Sequence, residues 1–218
     1  MVGDRRVLNL YAGVGGNRKL LRGVDVVAVE SDPKIAALYS RLYPDDEVVV
    51  GDAHQYLLDH GQEFDFIWSS PPCQSHSRFL KSGRNRSPRY PDMALYQEII
   101  YLQHFIKVPW VVENVQPYYG VLIPATKVGR HLFWSNYEID AVDVPRPAGF
   151  INQATLAGKE VLMDWLDIHY DERIYYAGNH CPAQVLRNAV HPKLGLQVFE
   201  QAFTVAANAP TDSDNEPW

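Results

Sequence analysis

A cysteine stands directly after a predicted strand, in a position that suits a nucleophile. The apolar residues 64–68 predict a short buried strand, and Pro71 and Pro72 end it because proline cannot continue a sheet ladder. Cys73 follows on this stiffened stretch and precedes small polar residues. It is one of two cysteines in the chain, and a lone cysteine most often fills space in a core. The neighbouring motifs favour the alternative, in which the Cys73 thiol attacks a substrate.

The first two predicted strands are followed by a glycine-rich turn and by a carboxylate. The strand 6–11 runs into the turn 12–16, an arrangement that brings backbone N–H groups close to a ligand. The strand 26–29 ends at Glu30, which is placed to accept hydrogen bonds from a ribose diol. Arg18 stands where the dinucleotide-binding pattern needs its third glycine, which disfavours a nicotinamide cofactor. The pattern favours a nucleoside-bearing ligand without a pyrophosphate, such as S-adenosylmethionine.

Two further carboxylates follow predicted strands. Asp52 comes after the strand Glu47–Val50 and is placed either to accept a hydrogen bond from an adenine amino group or to cap a helix over 54–60. The local sequence leaves both roles open. Glu113 follows the strand 109–112, next in order after the strand that leads to Cys73.

The alternation of these elements predicts the fold. Strands and helices alternate four times in the first third of the chain, which is typical of a Rossmann-like, doubly wound α/β fold with a mostly parallel sheet. Ligands bind such sheets beyond the carboxyl ends of the strands, where Gly13, Glu30, Asp52, Cys73 and Glu113 all fall. Helices are also predicted over 17–22, 33–43, 91–106, 164–166 and 183–206, and strands over 129–134 and 137–144.

A basic segment follows the cysteine. Residues 77–90 have no hydrophobic period and predict a long loop without an acidic residue before Asp92. The net charge of the chain is −6, so this segment is a local exception, which we interpret as a lid that contacts phosphate groups rather than a merely solvated face. Its cations are Arg78, Lys81, Arg84, Arg86 and Arg89.

Composition limits the class of protein. A hydrophobic fraction of 46% and a charged fraction of 21% are typical of a globular domain. No apolar run reaches the roughly 18 residues of a membrane span, and the first residues do not resemble a signal peptide, so we expect no membrane partner. Cys73 and Cys181 do not have zinc-site spacing and the eight histidines are scattered, so we expect no metal and a reducing cytoplasm, in a bacterial or phage-infected cell.

Taken in order, these motifs resemble those of the cytosine-5 DNA methyltransferases. The turn Tyr11–Gly16 resembles the motif that binds S-adenosylmethionine, and Ser70–Gln74 resembles the catalytic Pro-Cys motif. Residues 113–115 are similar to the Glu-Asn-Val motif, and residues 188–190 to the C-terminal motif. The resemblance implies cofactor contacts at Tyr11, Ala12, Gly13, Gly15, Gly16, Glu30, Ser31, Asp52, Ala53, Pro72, Asn188, Ala189 and Val190. It implies DNA contacts at Gln74, Ser75, Ser77 and the five cations of the basic segment.

The resemblance also implies a mechanism. Cys73 adds to C6 of cytosine in DNA, which makes C5 nucleophilic toward the donor. Glu113 holds the N3 and amino edge of the base, and Arg130 orients the base carbonyl or Glu113. The cytosine must flip out of the duplex to reach these groups. A thiol exposed for this attack is expected to have a lowered pKa.

The chain departs from the family pattern at four positions. Thr126 and Val128 replace a glutamine and an arginine of the motif that ends at Arg130, and His191 replaces a frequent proline. Arg187 stands where glycine is expected and puts a cation near the transferred group. We interpret Arg187 as a phosphate contact or as a partner for a carboxylated donor, carboxy-S-adenosylmethionine, which would give 5-carboxymethylcytosine.

The resemblance divides the chain into unequal parts. Residues 1–144 and 182–207 form the predicted catalytic domain, 145–181 a reduced target-recognition segment, and 208–218 a disordered tail. Such a small recognition segment predicts short sequence specificity or help from a protein partner. Two alternatives stay open: a tRNA cytosine-5 methyltransferase, and a catalytically silent subunit that binds the cofactor and assists a partner enzyme.

Overall fold

The computed structural model describes residues 5–73, 76, 90–150, 155–175 and 181–204. The strands are β1 Arg5–Leu10, β2 Val24–Glu30, β3 Glu47–Val50, β4 Phe66–Ser69, β5 Trp110–Val115, β6 Thr126–Val128 and β7 His131–Ser135. The helices are α1 Pro33–Leu42, α2 Ala53–His60, α3 Ala94–Phe105, α4 Leu156–Leu166, α5 Gln184–Asn188 and α6 Pro192–Thr204, with one 3-10 turn at Gly61–Glu63.

All seven strands form one sheet in the order β3-β2-β1-β4-β5-β7-β6. The first five strands are parallel to their neighbours, whereas β7 runs antiparallel to β5 and β6 antiparallel to β7. The predicted Rossmann-like, mostly parallel fold is therefore confirmed. The strand order changes direction between β1 and β4, and a ligand crevice is expected at that point.

Both faces of the sheet are covered by helices. Alternate residues of β1 face opposite sides: Leu8 and Leu10 pack with the α3 residue Ile99, while Val7 packs with the α6 residue Val198. Because both faces are apolar, the central strands read as nearly continuous hydrophobic runs, which made them recognisable in the sequence.

The strand predicted over 137–144 is wrong. Its backbone pairs with glutamine side chains of α6 instead of with a strand. Gln201 Oε1 accepts from the Asp140 N–H at 2.9 Å, and Gln197 Oε1 accepts from the Val142 N–H at 2.9 Å. Side-chain amides thus satisfy an extended segment that would otherwise need a ladder partner.

Several predicted boundaries also differ. The strand expected over 129–134 is part of the β6–β7 hairpin, which turns at Gly129 with φ +58°. Residues 17–20 form turns rather than the expected helix. The helix expected over 183–206 is interrupted before Pro192, which can begin a helix but cannot donate a hydrogen bond within one.

Helix α4 lies within the segment predicted to recognise the target. It is longer than the turn of helix expected at 164–166, and it buries Leu162 and Leu166 in a cluster with Ile35 and Leu38 of α1. This part of the segment therefore contributes to packing of the domain, and its role in target recognition stays a prediction.

Within the part of the chain that the structure describes, no helix has the length and apolar character to span a membrane. In that same part, no cluster of three or more histidine, cysteine or acidic side chains could hold a metal ion.

Candidate active site

A cavity that is open to solvent lies at the carboxyl ends of the central strands. The predicted site residues that line it are Tyr11, Ala12, Gly13, Gly16, Glu30, Ser31, Pro72, Cys73, Glu113, Arg130, Asn188, Ala189 and Val190. The residues predicted to bind the cofactor, to hold the base and to act as the nucleophile thus line one cavity.

The glycine-rich turn is held against the C-terminal motif. Gly13 adopts φ +56°, and its N–H donates to Glu30 Oε2 at 3.0 Å. A Cβ atom on Gly16 would lie 2.2 Å from the Val190 carbonyl oxygen and 3.1 Å from Ala189 Cβ. Glycine is therefore needed at position 16 because another backbone segment occupies the space of a side chain.

Substitution of Gly16 by alanine should damage the cavity. We expect a destabilisation of roughly 1–3 kcal/mol and weaker S-adenosylmethionine binding, because the α5–α6 junction must move away from the turn. Thermal unfolding and calorimetric titration with the cofactor would measure both effects. Gly120→Ala is the matched control, since a Cβ at Gly120 meets nothing within 4 Å. Equal behaviour of the two variants would contradict the packing argument.

Glu30 connects the turn to the next helix. Its Oε1 accepts from the Asp32 N–H at 2.9 Å, and its side chain lies at the cavity wall although the residue is only 6% exposed. Each carboxylate oxygen can accept a further hydrogen bond, so a ribose diol in the cavity fits this carboxylate. The glycine cradle and this carboxylate together fit a nucleoside cofactor such as S-adenosylmethionine.

Tyr11 lies at the end of β1 in a left-handed conformation, φ +56°, which is uncommon outside glycine. Its hydroxyl donates to Glu98 Oε2 at 3.0 Å. Glu98 is buried on α3 and also accepts from the Ser69 hydroxyl, while His54 Nδ1 lies 3.3 Å from Oε2. The sequence contained a signal for this network that went unused: Glu98 lies on the apolar face of a predicted helix.

Cys73 and Glu113 approach each other across neighbouring strands. Cys73 follows β4 and Glu113 lies within β5 rather than after it, because β5 continues to Val115. The Asn114 side-chain amide donates to the Pro71 carbonyl at 3.0 Å and so fixes the proline segment that carries the thiol.

His76 links the turn at Cys73 to the segment that follows β5. Its N–H donates to the Cys73 carbonyl at 3.0 Å, and its carbonyl accepts from the Tyr118 N–H at 3.0 Å. Its Nδ1 lies 2.5 Å from the Tyr119 hydroxyl. Burial lowers the pKa of His76, which favours the neutral imidazole for these contacts.

The charge state of the thiol differs from expectation. Burial and the Glu113 carboxylate raise the pKa of Cys73, and the Arg130 guanidinium offsets only part of this rise. The expected lowering of the thiol pKa is therefore wrong for the protein without ligands. A cationic ligand in the cavity would favour the thiolate.

Glu113 is ionised despite its burial. Burial alone would raise its pKa, but the His131 imidazole and the Arg130 guanidinium outweigh it and lower the pKa. His131 Nδ1 lies 2.6 Å from Glu113 Oε1. His131 was missed by the sequence analysis because it falls inside an apolar strand.

Arg130 lines the cavity and contacts the segment between α5 and α6. Its Nη2 donates to the carbonyls of Arg187 at 2.8 Å and Ala189 at 3.2 Å. Its guanidinium also lies 5.2 Å from the centre of the Phe150 ring. Arg130 therefore braces the α5–α6 junction while it lines the cavity.

Some predicted residues do not line the cavity. Asp52 caps α2 by accepting from the Gln55 N–H at 3.0 Å. Gly15 lies against the rings of Tyr39 and Tyr43, and Ala53 is buried in the core cluster. Arg187 does not line the cavity either, and its Nη2 donates to Cys181 Sγ at 3.1 Å. The predicted DNA contacts lie outside the described residues, namely Gln74, Ser75, Ser77, Arg78, Lys81, Arg84, Arg86 and Arg89.

His191 has a structural role that explains its place at the start of α6. Its Nδ1 accepts from the Lys193 N–H at 3.1 Å, and its Nε2 donates to the Trp165 carbonyl at 3.0 Å. Only the neutral imidazole can make both bonds, and burial lowers the pKa of His191 accordingly.

This pair of bonds should make stability depend on pH. The pKa of His191 in the folded protein is below the ordinary value of about 6.5. The stabilisation from these two hydrogen bonds is therefore fully present above that pH, and it is lost as the pH falls through the folded pKa. We expect His191→Ala to lose about 1 kcal/mol at about pH 8 and less at about pH 5. Urea unfolding at both pH values measures this. If the free energies of unfolding of the wild type and His191→Ala differed more at the acidic pH than at about pH 8, the assigned tautomer would be contradicted.

The chain was compared with known proteins. The family described as C-5 cytosine-specific DNA methylase matches residues 5–117, more than half of the chain. The match includes the glycine turn, Cys73 and Glu113, whereas Arg130 and residues 188–190 lie beyond it. A search of curated proteins gave no match.

Solved structures with related chains are similar only in part. An S-adenosylmethionine-dependent methyltransferase from Agrobacterium tumefaciens has 15% identity and a TM-score of 0.40, over 53% of this chain and 40% of that chain. A DNMT2 mutant from Spodoptera frugiperda has 25% identity and a TM-score of 0.37, over 51% of this chain and 36% of that chain. A TehB-like methyltransferase from Corynebacterium glutamicum has 16% identity and a TM-score of 0.36, over 56% and 61%. This chain thus spans well under half of the first two proteins.

The match to the family covers Cys73 and Glu113, which both line the cavity, and it agrees with the resemblance found in the sequence. The chain belongs to the C-5 cytosine-specific DNA methylase family.

Proposed function

We propose that this protein transfers a methyl group from S-adenosylmethionine to C5 of cytosine in DNA through a covalent intermediate at Cys73. One observation carries the proposal: Cys73, Glu113 and Arg130 line the same cavity as the glycine turn and Glu30. A nucleophile and a cofactor site in one cavity allow a bound base and a bound donor to meet.

Each residue has a role in the proposed reaction. The Cys73 thiolate adds to C6 of cytosine, and the electrons of the C5–C6 double bond become available at C5. C5 would then attack the methyl carbon on the positively charged sulfur of the donor, so that a C5–CH3 bond forms, the S–CH3 bond breaks and the donor leaves as a neutral thioether. Glu113 accepts a hydrogen bond from the amino group and supports the proton that N3 gains. After transfer, a base removes the C5 proton and the thiolate leaves C6.

The substrate must present the cytosine outside a duplex. Glu113 is buried and Cys73 is half-buried in the cavity, so a stacked base cannot reach them. We therefore include base flipping in the proposal, with the predicted basic segment 77–90 as the contact to the DNA backbone. A protein partner that assists target recognition remains a prediction.

The donor is proposed to be S-adenosylmethionine itself. The carboxylated donor was suggested by a cation at position 187, but the Arg187 guanidinium contacts Cys181 Sγ and Gln184 Oε1 rather than the cavity. Among the described residues that line the cavity, Arg130 is the only cationic side chain. It already donates to two main-chain carbonyls.

Mass spectrometry of nucleosides tests the function directly. The protein is incubated with duplex DNA or with tRNA, and in each case with the ordinary or the carboxylated donor. We expect 5-methylcytosine in DNA with the ordinary donor. A signal confined to tRNA would assign the RNA substrate, a carboxymethyl product would assign the other donor, and no product in any arm would favour the silent subunit.

A further inference from the structure

One buried carboxyl group has no role in the reaction proposed above. Glu98 lies on α3 and is only 1% exposed, and it does not line the cavity. Its neighbours on the same face of the helix are apolar, namely Leu95, Ile99 and Leu102. Burial of a carboxyl group costs free energy unless hydrogen bonds replace those that it makes with water. An apolar side chain would fit this cluster without that cost, so the partners of Glu98 must explain its presence.

Glu98 contacts side chains from three other elements. Its Oε2 accepts from the Tyr11 hydroxyl at 3.0 Å and lies 3.3 Å from His54 Nδ1 on α2. Its Oε1 accepts from the hydroxyl of Ser69, the last residue of β4. Burial and Glu98 raise the pKa of Tyr11, which keeps the phenol protonated as the donor of its bond. Two other elements thus hold the carboxyl group in place where it accepts from Tyr11.

Of these three partners, Tyr11 lines the cavity, whereas His54 and Ser69 do not. Tyr11 directly follows β1 with φ +56°, a left-handed conformation that is unfavourable for a residue with a side chain. Two residues later, the Gly13 N–H donates to Glu30. The conformation of Tyr11 therefore sets the direction in which the chain enters the glycine turn, and the hydroxyl bond to Glu98 offsets its cost.

We propose that Glu98 is a positioning residue for the donor site, because it holds Tyr11 in the conformation that directs the chain into the glycine turn. The inference rests on the proposed function and deepens it by naming a residue on which affinity for S-adenosylmethionine depends. Glu98 does not line the cavity, so its effect on the donor passes through Tyr11.

Calorimetric titration with S-adenosylmethionine tests the proposal without any transfer step. Tyr11→Phe removes only the hydroxyl, and Glu98→Met replaces the carboxyl group by an apolar side chain of similar length. We expect each variant to bind the cofactor about 10-fold more weakly than the wild type, because each loses the bond that offsets the unfavourable conformation. Wild-type affinity in either variant would overturn the proposal.

Tyr137→Phe is the matched control for the loss of a tyrosine hydrogen bond. The Tyr137 hydroxyl donates to the Val198 carbonyl at 3.1 Å, and neither residue lines the cavity. This variant should bind S-adenosylmethionine as the wild type does. If its affinity fell as much as that of Tyr11→Phe, the loss would not be specific to the bond with Glu98, and the proposal would be refuted.

The two changes combined show whether Glu98 acts through Tyr11. The double variant should bind the cofactor within about twofold of the weaker single variant, because both changes remove the same bond. Losses that multiply to about 100-fold would mean that Glu98 acts by another route, and the proposal would be wrong.

Glu98→Gln should rescue the binding that Glu98→Met loses. The glutamine oxygen can accept from the Tyr11 hydroxyl, and its amide can donate to Ser69 Oγ. We expect affinity for S-adenosylmethionine within about threefold of the wild type, since the bond to Tyr11 is kept. A Glu98→Gln variant as weak as Glu98→Met would contradict positioning through this bond.

Hydrogen exchange reports on the turn in the protein without cofactor. The peptide that spans residues 11–16 should exchange faster in Tyr11→Phe and in Glu98→Met than in the wild type, with exchange in β5 unchanged. Unchanged exchange in residues 11–16 would count against the inference as decisively as unchanged affinity. Thermal unfolding identifies a variant that fails to fold, and if Glu98→Met fails, Tyr11→Phe and Glu98→Gln decide the question.

Failure of the proposed function gives a different result from failure of this inference. A wild type that binds no S-adenosylmethionine refutes the proposed function, and the role of Glu98 with it. A wild type that binds the cofactor, together with variants that bind it equally well, refutes only the role of Glu98. In transfer assays Tyr11→Phe should raise the KM for the donor, and saturating donor should restore the rate. A lower rate at saturating donor with an unchanged KM would also refute the role of Glu98.

Discussion

Replacement of Cys73 by serine should abolish methyl transfer while leaving the fold and the cofactor site intact. The hydroxyl is a much weaker nucleophile than the thiolate, and loss of a covalent nucleophile costs on the order of 10⁵-fold or more in rate. The turn at Cys73 is held by hydrogen bonds that do not involve the sulfur. The His76 N–H donates to the Cys73 carbonyl, and the Asn114 side chain donates to the Pro71 carbonyl. Serine at position 73 should therefore not disturb the turn.

Trapping with 5-fluorocytosine in duplex DNA checks this result. Fluorine at C5 cannot leave as a proton, so the Cys73–C6 bond persists and a protein–DNA adduct is visible on a denaturing gel. The wild type and the matched control Cys181→Ser should form this adduct, because Cys181 lies outside the cavity. Cys73→Ser should form none. An adduct that persists in Cys73→Ser would refute the covalent mechanism.

Glu113→Gln should be the second most damaging change. Glutamine keeps the size of the side chain and an oxygen for the His131 contact, but it loses the charge and cannot pass a proton to N3. We expect the transfer rate to fall by about 10²–10⁴-fold with cofactor affinity unchanged. Single-turnover assays and cofactor titration separate the two quantities.

A matched variant shows whether the loss is specific. Asp46→Asn removes another buried carboxylate, which bonds to Arg18 and Tyr39 away from the cavity. That variant should lose stability but retain transfer. If Glu113→Gln transferred methyl groups as well as Asp46→Asn did, Glu113 would not be the group that holds the base.

The sequence predicted the parallel part of the sheet because those strands are apolar runs bounded by glycine, proline or a carboxylate. Asp32 illustrates how local such signals are: its side chain caps α1 by accepting from the Lys34 and Ile35 N–H groups, as expected from its place before Pro33. The end of the sheet was less predictable. The segment at Asp140 and Val142 is extended, yet its partners are glutamines far along the chain, and no local pattern indicates that.

Site residues could be predicted where their position along a strand places them in the cavity. They could not be predicted where their role depends on the direction of the side chain. Cys73 follows β4 and Glu113 lies in the carboxyl-terminal half of the neighbouring strand β5, so both side chains line the cavity at one edge of the sheet. The direction of Arg187 depends on Cys181, and the role of His131 depends on pairing between β5 and β7. Cys181 lies only six residues before Arg187, but no regular helix or strand spacing indicates their contact. His131 and Glu113 are 18 residues apart, and only the pairing of two strands brings them together. All of the basic segment 77–90 except Tyr90 lies outside the described residues, and its role in DNA binding stays a prediction.

The contact of Gly16 with Val190 has a consequence for synthesis of the protein. The turn that cradles the cofactor is made first, but the wall that closes it comes from the segment before α6, near the end of the described chain. Until α6 leaves the ribosome, the apolar sheet face at Phe66 and Trp68 lacks its cover. The nascent chain therefore exposes this apolar surface until α6 has been synthesised, and the wall of the cavity at Val190 is also missing until then.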